Sequence, residues 1–197
     1  MRCWLLTFAN KNSSSAEGRS RLRSIAELLP LLAPGDPVLL RADLNVPIDS
    51  GTITDSNRIE ALLPSLKALQ VAGARIVLVS HLGRPATVDP AFSTAVVATS
   101  LQQHLGTEVV HVSEIPAGAK AARQLESLSP GGVMMLENLR FDPREKSNDA
   151  DFARSLVTGC QYFVNDAFGC CHRAHASVDA VADLLPSYAG FLVEREV

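Results

Sequence analysis

Arginine and histidine side chains recur in four short segments, Arg41 to Pro47 (RADLNVP), Ser80 to Pro85 (SHLGRP), Glu137 to Phe141 (ENLRF) and His172 to Ser177 (HRAHAS). Each sits where a predicted strand runs out. A guanidinium is a planar, permanently charged fork that meets carboxylate or phosphate oxygens two at a time. The chemistry on offer is recognition of a small phosphorylated acid. Residues so far apart must converge for it to work, and open α/β sheets gather ligands in this way at the carboxyl ends of their strands. Taken singly, Arg84, Arg140 and Arg173 would pass for solvated arginines or partners of acids. Their shared position after strands argues for a ligand.

The elements that would do the gathering begin near Ile25, where strand-like apolar runs alternate with helical periodicity. Val38 to Asp43 predicts the first strand. Asp55 or Ser56 can cap a helix on which Ile59, Leu62, Leu63, Leu66 and Leu69 recur at helical spacing; Gly73 ends it and Pro64 should kink it. Ala74 to Val79 (ARIVLV) is a continuous apolar run, as in strands buried on both faces, and it empties into His81, Gly83 and Arg84. A helix from about Ser93 to Leu105, a strand from Glu108 to Val112, a helix from Lys120 to Leu128 and a strand from Val133 to Leu136 follow. Asn148 or Asp149 can cap a helix that Phe152, Leu156 and Val157 bury and Gly159 ends. Cys160 to Asn165 reads as a strand, and Ser177 to Leu185 as a short helix stopped at Pro186. The order predicts an α/β fold, a Rossmann-like, mainly parallel sheet with helices on both faces: three α/β/α layers in a single domain.

With 197 residues and 47% hydrophobic content, the chain can bury one sizeable core without metal or disulfide staples. Its formal net charge of -3 disfavours nucleic acid or acidic membranes as partners, so an anion site must be local. Cys3, Cys160, Cys170 and Cys171 make a poor disulfide framework, which suits a reducing cytoplasm. No apolar stretch approaches the roughly 20 residues of a membrane-spanning helix. Residues 1–24 read as an extension, disordered or with the acid-poor, serine-rich look of an organellar targeting segment. Cys170, Cys171, His172 and His175 could be weighed as a metal site, but adjacent cysteines rarely reach one tetrahedral ion together, so no metal is expected. Gly83 and Pro85 are expected only to punctuate their loop.

The motifs together resemble the N-terminal domain of phosphoglycerate kinase. Asp43 to Pro47 (DLNVP), the Asp55 to Ile59 helix start, SHLGRP, ENLRF and NDAFGCCHRAHAS from Asn165 to Ser177 occur in family order, and the likeness runs from about Leu39 to Arg195. It implies binding of 3-phosphoglycerate or 1,3-bisphosphoglycerate, the glycolytic phosphoryl transfer of a carboxyl-directed kinase, and MgATP or MgADP as the nucleotide. By motif, the ligand residues are Asp43, Asn45, Arg58, His81, Arg84, Arg140 and Arg173. Asp43 and Asn45 resemble residues that hold the hydroxyl and carboxylate region. His81, Arg84, Arg140 and Arg173 resemble the clamp on the non-transferring phosphate. Arg58 resembles the family's catalytic arginine at the transferring group, where it acts electrostatically.

The sequence has neither G-x-x-x-x-G-K-[ST] nor G-x-G-x-x-G, and the family's nucleotide site belongs to a second domain expected beyond the matched segment. Residues 25–197 are therefore expected to form the acceptor domain alone. Because family catalysis needs two domains to close around both substrates, the chain by itself should transfer phosphate negligibly. The rival is an inactive module or remnant that binds phosphometabolites; a domain whose arginines only make salt bridges is a third reading. The tail residues Phe191, Leu192 and Val193 are open to fraying or to a partner.

Overall fold

Parallel strands covered on both faces need apolar side chains at nearly every position, and the strands of this chain have them. The computed structural model describes residues 22–115 and 118–197. In chain order the strands are β1 (Pro37–Ala42), β2 (Ile48–Asp49), β3 (Thr52–Ile53), β4 (Arg75–Val79), β5 (Val109–Val112), β6 (Val133–Leu136), β7 (Tyr162–Asp166) and β8 (Ser187–Ala189). The helices are α1 (Ile25–Leu28), α2 (Asn57–Val71), α3 (Ala95–Leu105), α4 (Ala119–Ser127), α5 (Ala150–Leu156) and α6 (Phe191–Glu196). Six strands form one parallel sheet in the order β5-β6-β4-β1-β7-β8, and β2 and β3 form a separate antiparallel pair. The carboxyl ends of β6, β4, β1 and β7 are thus neighbours in a row.

Register sorts the strand side chains into two cores. Leu39 is level with Val77 on β4 and Phe163 on β7, and Val77 with Met134 on β6. These join Ala121 and Leu125 of α4 and Phe152 and Leu156 of α5. Val38, Leu40, Ile76, Leu78, Met135 and Val164 belong to the other core, with Leu62, Leu66 and Leu69 of α2 and Val97 and Leu101 of α3. A sheet between two helix layers is the three-layer arrangement that the alternation predicts.

Several elements differ from the sequence reading. The predicted helix at Ser177 to Leu185 is only a 3-10 turn over Ala180–Asp183. Its polar groups are committed elsewhere: the Ser177 amide and hydroxyl go to Glu145, the Ala180 amide to Asn148 Oδ1 at 3.1 Å, and Asp179 takes the Asn148 amide at 2.6 Å. The β2–β3 pair was not anticipated, although Ser50-Gly51 is its turn, with φ of 49° and 78°. The tail is not frayed. Val193 is fully buried in α6, Phe191 N–H donates to Ser65 Oγ at 2.9 Å, and Leu192 N–H to Asp166 Oδ1 at 2.8 Å. α2 continues past Pro64 as one helix of 15 residues.

Contacts with the domain begin before Ile25: Leu22 packs on the first core, the Arg23 guanidinium lies 4.5 Å above the Tyr188 ring, and Ser24 caps α1. Residues 1–21, with the targeting reading and Cys3, lie outside the described residues. Among the described residues, no helix is long and apolar enough to cross a membrane.

Candidate anion-binding site

The loops after β1, β4, β6 and β7 meet at one edge of the sheet and are tied together by buried polar groups. Asn138, fully buried just after β6, binds the loop after β4 on both sides: its Oδ1 accepts from Leu82 N at 3.2 Å, and its Nδ2 donates to Leu82 O at 2.7 Å. The same side chain donates to Phe92 O at 3.0 Å and accepts from Arg140 N at 3.1 Å. Asn45 Oδ1 accepts from Gly83 N at 2.6 Å, while Gly83 O accepts from Arg140 Nη1 at 2.6 Å. Gly83 therefore does more than punctuate its loop. A Cβ there would lie 2.3 Å from the Phe92 ring, and its φ of +62° already favours glycine.

Among the motif residues, Asp43 and Arg58 form an ion pair through Oδ2 and Nη1; Arg58 is half exposed in the first turn of α2. Asp43 Oδ1 is buried without a hydrogen-bond partner. His81 and Arg140 are buried, Arg173 is partly buried and Arg84 is exposed. The Arg140 Nε–H is buried and unpaired too, an uncommon state for a charged donor.

Burial and neighbouring positive charges set the protonation of this cluster. Burial first, then Arg41, Arg140, Arg173 and His175, lowers His81 to about 2. Burial, Arg140, Arg41 and Arg173 lower His175 to about 4. Arg140 is itself lowered, by burial and then mainly by Arg173, with Arg41 and Arg84 contributing. Both histidines are therefore neutral donors or acceptors at neutral pH, and the positive charge is carried by arginine. Such a cluster can bind and neutralise an anion, and it can stabilise charge as a group is transferred.

The residues weighed as a metal site do not come together. Cys170 Sγ lies 4.0 Å from His81 Nδ1, whereas Cys171 Sγ is directed to Ala167 O at 3.4 Å. His172 is exposed and its Nε2 accepts from Arg173 Nε, and His175 faces Glu145 at 3.8 Å. Among the described residues, Asp43, His81 and Cys170 do bring ligand atoms within 4.8 Å of one another, but the Arg41 guanidinium occupies that space, 3.1 Å from His81 Nδ1 and 3.9 Å from Cys170 Sγ.

Sequence reasoning passed over four residues that organise the site: Arg41, Asn138, Glu145 and Ser177. Arg41 carried the clearest signal, because a charged residue inside the apolar run VLLRA must find partners when the strand is buried. Glu145 lies in the polar stretch DPREKSND, where one more charged residue gives none.

The sequence pattern of phosphoglycerate kinase matches residues 31–197. The chain belongs to the phosphoglycerate kinase family. It is 54% identical over 161 residues to the phosphoglycerate kinase of Thermomicrobium roseum, covering 81% of this chain and 41% of that protein. It is 44% identical over 177 residues to phosphoglycerate kinase 1, chloroplastic, of Arabidopsis thaliana, covering 89% of this chain and 37% of that one. Phosphoglycerate kinase from Coxiella burnetii shares the fold with a TM-score of 0.79 at 33% identity, over 89% of this chain and 43% of that structure. The chain thus spans about four-tenths of the length of these phosphoglycerate kinases, and corresponds to their N-terminal part. All four basic loops fall inside the matched residues.

Proposed function

We propose that the basic loops bind 3-phosphoglycerate or 1,3-bisphosphoglycerate, and that the chain supplies the acceptor side of a glycolytic phosphoryl transfer using MgATP or MgADP. The observation that carries this is the meeting of the basic loops at the ends of adjacent parallel strands, where Arg41 Nη2 lies 3.1 Å from His81 Nδ1 and Arg140 Nη1 donates to Gly83 O in the loop that carries His81. His81, Arg84, Arg140 and Arg173 grip the non-transferring phosphate; the unpaired Nε–H of Arg140 is a donor ready for one of its oxygens. Asp43 and Asn45 position the hydroxyl and carboxylate end, with the unpartnered Asp43 Oδ1 as acceptor for the hydroxyl. Arg58, held by Asp43 and half exposed, can turn to the transferring group and offset the charge that spreads over its oxygens.

The nucleotide and its magnesium ion are assigned to a second domain, in the same polypeptide or a separate one, as family membership implies for a chain that spans about four-tenths of its relatives. Without a domain to close over the acceptor and exclude water, residues 25–197 bind it and transfer phosphate negligibly. The spacing of Cys160, Cys170 and Cys171, awkward for a disulfide framework, favours a reducing compartment such as the cytoplasm.

Calorimetric titration with 3-phosphoglycerate, at low and moderate salt and alongside Arg140→Ala, tests the reading. Charge-assisted hydrogen bonds of about 1.5 to 3 kcal/mol each make the loss on substitution readable as roughly a tenfold to hundredfold weakening. Absence of binding by the folded chain at low salt would refute it.

A further inference from the structure

Arginine can donate hydrogen bonds but not accept them. The Nη2 of Arg41 lies 3.1 Å from His81 Nδ1, so this nitrogen must present its lone pair and the ring's proton must sit on Nε2. Arg41 has little freedom to do otherwise. Its Nε donates to Ser177 Oγ at 2.9 Å and its Nη1 to the Ala42 carbonyl. The Ser177 hydroxyl donates in turn to Glu145 Oε1 at 2.6 Å, and its amide donates to Oε2 at 3.0 Å. Glu145 also binds the loop through its main chain, its carbonyl accepting from Ala176 N at 2.9 Å. Arg41, Ser177 and Glu145 are all buried, with at most 1% exposure. The relay joins the end of β1, the loop after β4, the turn at Glu145 and the loop that carries Arg173.

We propose that Arg41, held by Ser177 and Glu145, is a positioning residue that fixes His81 with its proton on Nε2, so that His81 meets an anionic acceptor as an uncharged hydrogen-bond donor. The opposite tautomer would lose the Arg41 bond and turn a lone pair toward phosphate oxygens. A charged ring would face Arg41 from β1, Arg140 from the loop after β6, and Arg173 and His175 from the loop after β7; Asp43 and the Cys170 thiol are the remaining titratable neighbours. The identity of the ligand rests on the phosphoglycerate reading, whereas the placement of the proton does not.

Nitrogen-15 NMR of the histidine rings in the full chain reads the tautomer directly. The expected result is His81 protonated on Nε2 alone from pH 5 to 8. Arg41→Met should give a mixture of tautomers and bind 3-phosphoglycerate about tenfold more weakly. Ser177→Ala, a milder change available should Arg41→Met not fold, should shift the mixture in the same direction. A native His81 protonated on Nδ1, or a tautomer that stays the same in the folded variants, would overturn the proposal. Correct tautomers with no phosphoglycerate binding would support the proton placement and refute the functional reading instead.

Discussion

Buried His81 should make this domain lose stability on mild acidification, and the size of the loss follows from its surroundings. In the unfolded chain its pKa is near 6.5; in the fold, burial and the neighbouring arginines lower it to about 2. Below pH 6.5 the unfolded state therefore binds a proton that the folded state refuses. The sign follows from linkage: the stability is fully present above pH 6.5 and is lost as pH falls, by up to about 1.4 kcal/mol per unit. Between pH 7 and pH 5 the unfolded imidazole passes from mostly neutral to mostly charged, a loss of about 2 kcal/mol from this one ring. His175, lowered to about 4, adds a loss of the same sign over the same interval. Glu145 and Asp166, raised by burial, work in the opposite direction. The test must therefore compare two proteins. Urea unfolding at pH 7, 6 and 5 should show the native chain losing about 2 kcal/mol more than His81→Asn, whose Oδ1 can still accept from Arg41 but cannot titrate. Parallel pH profiles would mean that His81 is charged or solvated in the fold, and the electrostatic account of the site would fail.

Asn138→Ala would strand four main-chain groups, on Leu82, Phe92 and Arg140, and should cost about 2 to 4 kcal/mol in urea unfolding; a loss below about 1 kcal/mol would show that water replaces the side chain. Gly169→Ala would bring a Cβ within 2.6 Å of Asp43 Oδ2, the oxygen paired with Arg58. Phosphoglycerate binding should weaken by about tenfold in titration calorimetry while thermal stability changes little, and unaltered binding would exclude Asp43 from the ligand. Asp149→Ala removes the carboxylate that accepts from Phe152 N at 2.8 Å and should lower stability by about 1 kcal/mol in denaturant melts, with no effect on ligand affinity.

Much of this fold was legible because it rests on local rules. Strands that are buried on both faces read as unbroken apolar runs, and β1, β4, β6 and β7 lie within two residues of their predicted starts and one of their predicted ends. Asp149 caps α5 as its spacing suggested. Local reasoning failed where distant partners compete for the same backbone. Residues 177 to 185 have helical composition, yet Glu145 and Asn148 claim their polar groups and leave one 3-10 turn. The three-residue strand β8 and the short helix α6 also depend on neighbours, since each is too brief to be stable alone.

The candidate site divides in the same way. Sequence alone determined the residue types that meet at the candidate site: arginines and histidines at four strand ends, an aspartate and asparagine before Pro47, and the motif order that marks a phosphoglycerate kinase. Tertiary structure alone decided their physical state. Burial and mutual repulsion make His81 and His175 neutral, Asp43 is paired with Arg58 through one oxygen while the other lacks a partner, and Arg41 belongs to the scaffold that orients His81. Residue type is written in the chain, but charge, tautomer and direction depend on which groups the fold brings within a few ångströms and how much water it leaves between them.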